Sequence, residues 1–174
     1  FRWLQLASNM ILIGGCVFLA IAVRANTAFD APWFARLNRT LPWLSVTLLL
    51  GLVGLLATTT AQATGVAENA WHPGAWLELL QKTRIGLIWK LRAALALLVC
   101  GVALYVRFSS WARWQYVLYA TVAALTLAAG SLSSHSAADE LSVTSVLPYA
   151  LHTVLASVWF GGLPAFLTVV FTTT

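Results

Sequence analysis

Five apolar runs, each long enough to cross a bilayer, constrain this 174-residue chain more than any motif does. They lie near residues 3–23, 43–61, 85–106, 114–134 and 147–171. A helical span needs about 20 predominantly apolar residues to cross roughly 30 Å of hydrocarbon, and inside it the backbone must satisfy its own hydrogen bonds. Strands of a transmembrane barrel would be shorter and would alternate apolar with polar residues, which these runs do not. The expectation is an all-α, polytopic transmembrane helical bundle of about five spans, forming a single domain over residues 1–174. Composition agrees, since 60% hydrophobic and 9% charged residues with a mean hydropathy of +0.84 exclude an ordinary soluble domain. The sequence opens on Phe1 and stops at Thr174 directly after a span, so it reads as part of a longer chain.

Orientation follows from the Lys and Arg residues of short loops. The loops after spans one and three hold Arg24, Arg36, Arg39, Arg107 and Arg113 against the single acid Asp30, which predicts that they are cytoplasmic. The opposite loops carry Glu68, Glu78, Asp139 and Glu140 with Lys82 and Arg84, so they and the N-terminus are expected to face the periplasm across a bacterial inner membrane. The net charge of +5 then reflects cytoplasmic anchoring, and the partner it implies is the lipid bilayer rather than nucleic acid. Trp3, Trp33, Trp43, Trp71, Trp76, Trp111 and Trp114 fall at or near span ends, where an amphipathic ring prefers the headgroup zone. Cys16 and Cys100 lie inside spans without CxxC spacing and read as small buried hydrophobes.

All three histidines fall on the side assigned to the periplasm. His72 precedes Pro73-Gly74 in the loop 63–83, where Trp76, Leu79 and Leu80 predict a short interfacial helix. His135 is expected to end span four, and His152 to lie about one turn into span five, with Pro148 in that helix's first turn. If spans four and five form a hairpin, His135 and His152 stand at similar depth and can converge on a metal or on haem iron. The alternative is a pair of interfacial histidines bonded to Ser131, Ser134 or loop backbone, and the pattern leaves both readings open. Lys90 and Arg92 lie inside span three, roughly 9 to 12 Å past its outer end at 1.5 Å per residue. Lys90 is expected to snorkel, and Arg92 to face the bundle and meet Asp139, Glu140 or a ligand's negative group, a structural anchor being the competing role.

Enzymatic chemistry has little to stand on. The sequence contains no HExxH, no glycine-rich phosphate loop and no intramembrane carboxylate pair, and its five acids lie between spans. The chain is therefore not expected to be an enzyme.

Three segments carry a family resemblance. Ser134-His135-Ser136-Ala137-Ala138, then His152 followed by Ala156-Ser157-Val158-Trp159-Phe160-Gly161-Gly162-Leu163, and Thr83-Arg84-Ile85-Gly86-Leu87-Ile88-Trp89-Lys90-Leu91-Arg92 together resemble the CopD family of copper-resistance membrane proteins. Members of that family are commonly much longer, with further spans after the Trp-x-Gly-Gly-Leu helix, so the chain resembles their N-terminal portion. Two departures are visible: Ser134 stands where the family usually has Gly, and Gln5 where relatives often have a first-helix His. The resemblance implies copper handling at the inner membrane, by uptake from the periplasm or delivery to a cuproenzyme. A periplasmic copper chaperone or a respiratory complex is the implied partner. His135 and His152 would then make a near-linear Cu(I) site and His72 a third ligand, while Met10 is the only methionine. Gly161-Gly162 with Ala156 and Ser157 permit close helix approach beside His152, bringing its ring against span four.

Two other functions fit the same residues. His135 and His152 match the axial ligands of a single b-type haem whose propionate meets Arg92, giving a membrane electron-transfer protein. An accessory or assembly subunit of a respiratory complex would make the histidines incidental.

Overall fold

A computed structural model of the chain describes residues 1–24, 31–108, 112–132 and 142–173. Its helices are α1 (Arg2–Arg24), α2 (Pro32–Thr64), α3 (Pro73–Lys82), α4 (Arg84–Phe108), α5 (Arg113–Ser131) and α6 (Ser142–Thr173), with a short 3-10 turn at Ala67–Trp71. Among the described residues, four helices are long and apolar enough to cross a membrane, over Arg2–Val23, Pro32–Thr64, Arg84–Phe108 and Val146–Thr172. The fifth expected span, α5, is a 19-residue helix whose first turn holds Arg113, Gln115 and Tyr116 and is correspondingly less apolar. The helical membrane bundle read from the sequence is what the chain forms.

Spans successive in the sequence alternate in direction. Gly51 of α2 lies against Gln5 of α1, Gly54 against Phe1, and Gly15 faces Leu41, so α1 and α2 are antiparallel. Trp89 Nε1 donates to the Leu52 carbonyl at 3.2 Å and Cys100 Sγ to that of Ser45 at 3.6 Å, which sets α4 antiparallel to α2. Arg92 beside Gly130 and the Tyr105 ring 5.9 Å from that of Trp114 do the same for α4 and α5. The C-terminal part of α5 and the N-terminal part of α6 border one groove through Leu125, Ala128, Leu132, Leu147 and Ala150. One end of the bundle thus gathers the α1 N-terminus, α3 and His72. The other gathers Arg36, Arg39, Arg107 and Arg113.

Helix boundaries depart from expectation at two prolines. α2 starts at Pro32 rather than near residue 43, with Pro32 in its first turn and Pro42 inside it. Proline at the start of a helix forfeits no bond, and an interior proline costs one i→i−4 bond, which a long packed helix tolerates. Trp43 is consequently the twelfth residue of α2, exposed on its outer face, and not at a span end. α6 begins at Ser142, so Pro148 is interior rather than in the first turn; the apolar span within it runs Val146–Thr172, so His152 lies near the start of the span, close to the expected depth. At the far end of α2, Gly65 closes the helix in the left-handed conformation (φ 69°) that glycine adopts without strain.

The core lies where α1, α2, α4 and α5 meet, built from Leu12, Cys16, Leu41, Val99, Tyr119 and Ala123 among others. Several polar groups inside it are paired across helices. Tyr116 donates its hydroxyl to Asn38 Oδ1 at 2.7 Å, Asn38 Nδ2 donates to the Phe34 carbonyl at 3.0 Å, and Tyr119 shares bonds with Ser45 and the Leu41 carbonyl. These bonds staple α5 to α2 where hydrocarbon offers no water as a substitute. The helix α6 packs on α1 through glycines: a Cβ at Gly161 would collide with the Met10 carbonyl, and one at Gly14 with the backbone of Gly161. The glycine-mediated approach expected from the sequence is present, but it joins α6 to α1 rather than to span four.

Candidate metal-binding face and the buried Arg92

The histidines occupy different kinds of position. His72 is the residue between the 3-10 turn and α3; its backbone N–H donates to the Asn69 carbonyl at 3.3 Å, its carbonyl accepts from Trp76 at 3.2 Å, and its ring is exposed. The helix after it is the ten-residue α3, as expected, held by Leu79 beneath it and by Trp76 Nε1 donating to the Ala70 carbonyl at 2.9 Å. His152 is exposed on α6. It precedes Gly161, which meets Met10, by nine residues, roughly 14 Å along the helix axis toward the end that carries His72. His135 lies outside the described residues, as do Ser134, Asp139 and Glu140; α5 itself ends at Ser131, short of His135. Among the described residues no three His, Cys, Asp or Glu side chains are grouped to hold a metal ion. Cys16 is buried in the core and Cys100 half-buried with its Sγ toward the Ser45 carbonyl, consistent with their reading as small hydrophobes.

Charge at this end is modest and exposed. Lys82 Nζ meets Glu78 Oε1 at 2.8 Å one turn apart on α3. The hydrogen bond and the charge of Lys82 hold the Glu78 carboxyl below its ordinary range, and Glu78 raises Lys82 in return.

Inside the bundle, Arg92 has turned inward as its depth predicted, while Lys90, two residues away, is exposed. Its described partner is Gln5, Arg92 Nη2 donating to Gln5 Oε1 at 2.8 Å; the expected partners Asp139 and Glu140 lie outside the described residues. Gly130 of α5 borders it: a Cβ there would stand 3.6 Å from the guanidinium carbon, an ordinary contact distance. Gln5 sits close against the backbone of Gly51, so α1, α2, α4 and α5 all border this polar centre. The amides of Gln5 and Asn9 are the site residues that reading for histidines and charges overlooks. Their signal was present: Gln5, Ser8 and Asn9 recur at i, i+3 and i+4 in an otherwise apolar run, one polar face on a membrane helix.

The chain matches the family described as copper resistance protein D-like, N-terminal domain, over residues 1–146. It is 36% identical over 123 residues to the copper transport protein CutJ of Bacillus subtilis (strain 168), an alignment covering 67% of this chain and 22% of that protein. The chain therefore spans about a fifth of that relative's length. No solved structure matches it.

Proposed function

The chain belongs to the copper resistance protein D-like family by its N-terminal domain, and from that premise we propose that it is a membrane-embedded part of a copper-handling protein. The proposed task is binding copper, as Cu(I), on the periplasmic side of the bacterial inner membrane for uptake or for delivery to a cuproenzyme. The observation that carries the reading is the family match over residues 1–146 together with the 36% identity to a copper transport protein. His135 and His152 are the proposed ligands, with His72 contributing from the same end of the bundle. Neutral imidazole suits Cu(I) at low coordination number. The periplasmic placement rests on the arginines gathered at the opposite end of the bundle, Arg36, Arg39, Arg107 and Arg113. We propose no catalytic step for this segment, and a periplasmic copper donor or a respiratory complex as its partner.

The test is copper and iron content per chain of the detergent-purified protein after Cu(I) loading, beside a His135→Ala, His152→Ala double variant. Copper held by the parent and lost by the double variant is the expected result. Copper retained by the variant would move the site elsewhere, stoichiometric iron would replace copper handling by a single haem, and neither metal would leave an accessory subunit. His72→Ala is expected to lower copper content less than either of the other substitutions.

A further inference from the structure

The centre around Arg92 contains more hydrogen-bond donors than the protein satisfies. Arg92 is 8% exposed, Gln5 4% and Asn9 0%. Arg92 Nε, Gln5 Nε2 and both Asn9 side-chain atoms are buried without a hydrogen-bond partner among the described residues. Three of these four atoms are nitrogens that donate, and one, Asn9 Oδ1, accepts. Gln5 and Asn9 are one turn apart on the same face of α1, and Gln5 is tied to the guanidinium. A buried donor left unmet costs about 1–3 kcal/mol, and an intramembrane arginine without a counter-charge costs more. Among the described residues no Asp or Glu forms an ion pair with Arg92.

We propose that Arg92, Gln5 and Asn9 form a binding site for a small monovalent anion, of chloride to formate size, inside the bundle. Positive charge, surplus N–H donors and full burial are the requirements of an anion site, while a metal cation would meet the guanidinium repulsively. The anion accepts from Arg92 Nε and Gln5 Nε2, with Asn9 one turn deeper closing the site. Gly130 of α5 contributes no Cβ beside the guanidinium. Arg92 is the ninth residue of α4 and Gln5 the fourth of α1, so the site lies nearer the bundle end that carries His72. It is separate from the copper ligands proposed above, and neither reading depends on the other.

Thermal unfolding of the full chain in detergent tests this, with sodium gluconate replaced stepwise by sodium chloride or sodium formate at constant ionic strength. The parent protein is expected to gain about 3–6 °C in Tm at ten times the dissociation constant of whichever anion binds. Response to chloride alone identifies a halide from solution, and response to formate identifies a carboxylate-bearing ligand. Gln5→Glu is the decisive variant, because it places a fixed carboxylate beside Arg92 and is expected to unfold at one temperature in all three salts. Arg92→Gln should behave likewise if it folds. A parent Tm that ignores the anion, or a Gln5→Glu protein that responds as the parent does, overturns the proposal and leaves buried water in the site.

Discussion

Tyr116 shows what one hydroxyl does in a protein with no water at hand. Its bond of 2.7 Å to Asn38 Oδ1 occupies an acceptor that is otherwise sealed between α2 and α5. Tyr116→Phe keeps the ring and its edge contact with Phe34 while removing that donor. Leaving the Asn38 oxygen unmet is expected to destabilise the bundle by about 1–3 kcal/mol, read as a Tm lower by several degrees with insertion unchanged. A Tm within about 1 °C of the parent would mean that the amide finds another donor. The same logic explains why Arg92 was legible and Gln5 was not. An arginine nine residues into an apolar helix has few places to go, whereas the polar face of Gln5, Ser8 and Asn9 on α1 does not by itself name the partner of Gln5, 87 positions away.

At the scale of elements, α3 rests on few buried contacts, with only Leu79 beneath it, and on the exposed Lys82–Glu78 pair. The depressed Glu78 carboxyl adds stability that is present above its unfolded value, near 4.5, and is lost as pH falls through its lower folded value. Amide exchange in α3 is therefore expected to accelerate, relative to α4, as pH drops below about 4.5, and Glu78→Gln should abolish that pH dependence. Helix boundaries divide along physical lines. Those of α1, α4 and α5 were readable because a polar or charged turn coincides with the helix end, as at Arg2, Arg84 and Arg113. The start of α2 lies eleven residues ahead of the expected span, and Pro148 sits inside α6 rather than in its first turn, because packing carries both helices through their prolines. The direction of α6 packing was likewise open. Gly161 shows that a close approach exists without showing which helix it approaches, and that choice is made by the whole bundle.

For the whole molecule, the segregation of charge makes an orientation that labelling can check. Cysteine placed at His72 is expected to react with a membrane-impermeant maleimide from the periplasmic side, and cysteine at Arg107 only after the membrane is opened. Cys16 and Cys100 add little background, being buried and half-buried. Reversed labelling would invert the bundle and move the histidines to the cytoplasm. The outer surface is largely apolar, with Trp3, Trp43, Phe108, Trp159 and Phe171 among its most exposed side chains. In bilayer that surface requires no burial, so stability rests on internal polar bonds and close helix approach more than on apolar area.

The crossing of α1 and α6 also has a consequence for how the sequence can drift. Gly14 and Gly161 each abut the other helix's backbone, so enlarging one leaves nothing to shrink on the opposite side. Ordinary core positions exchange volume in pairs, a large residue for a small one; this pair is already at its lower limit and has no compensating move. Gly162, next in the chain, has nothing within 4 Å of where a Cβ would stand. Two identical neighbours in the sequence are thus under opposite constraint: in a library of variants, Gly162 should accept alanine, serine or larger residues while Gly161 returns as glycine.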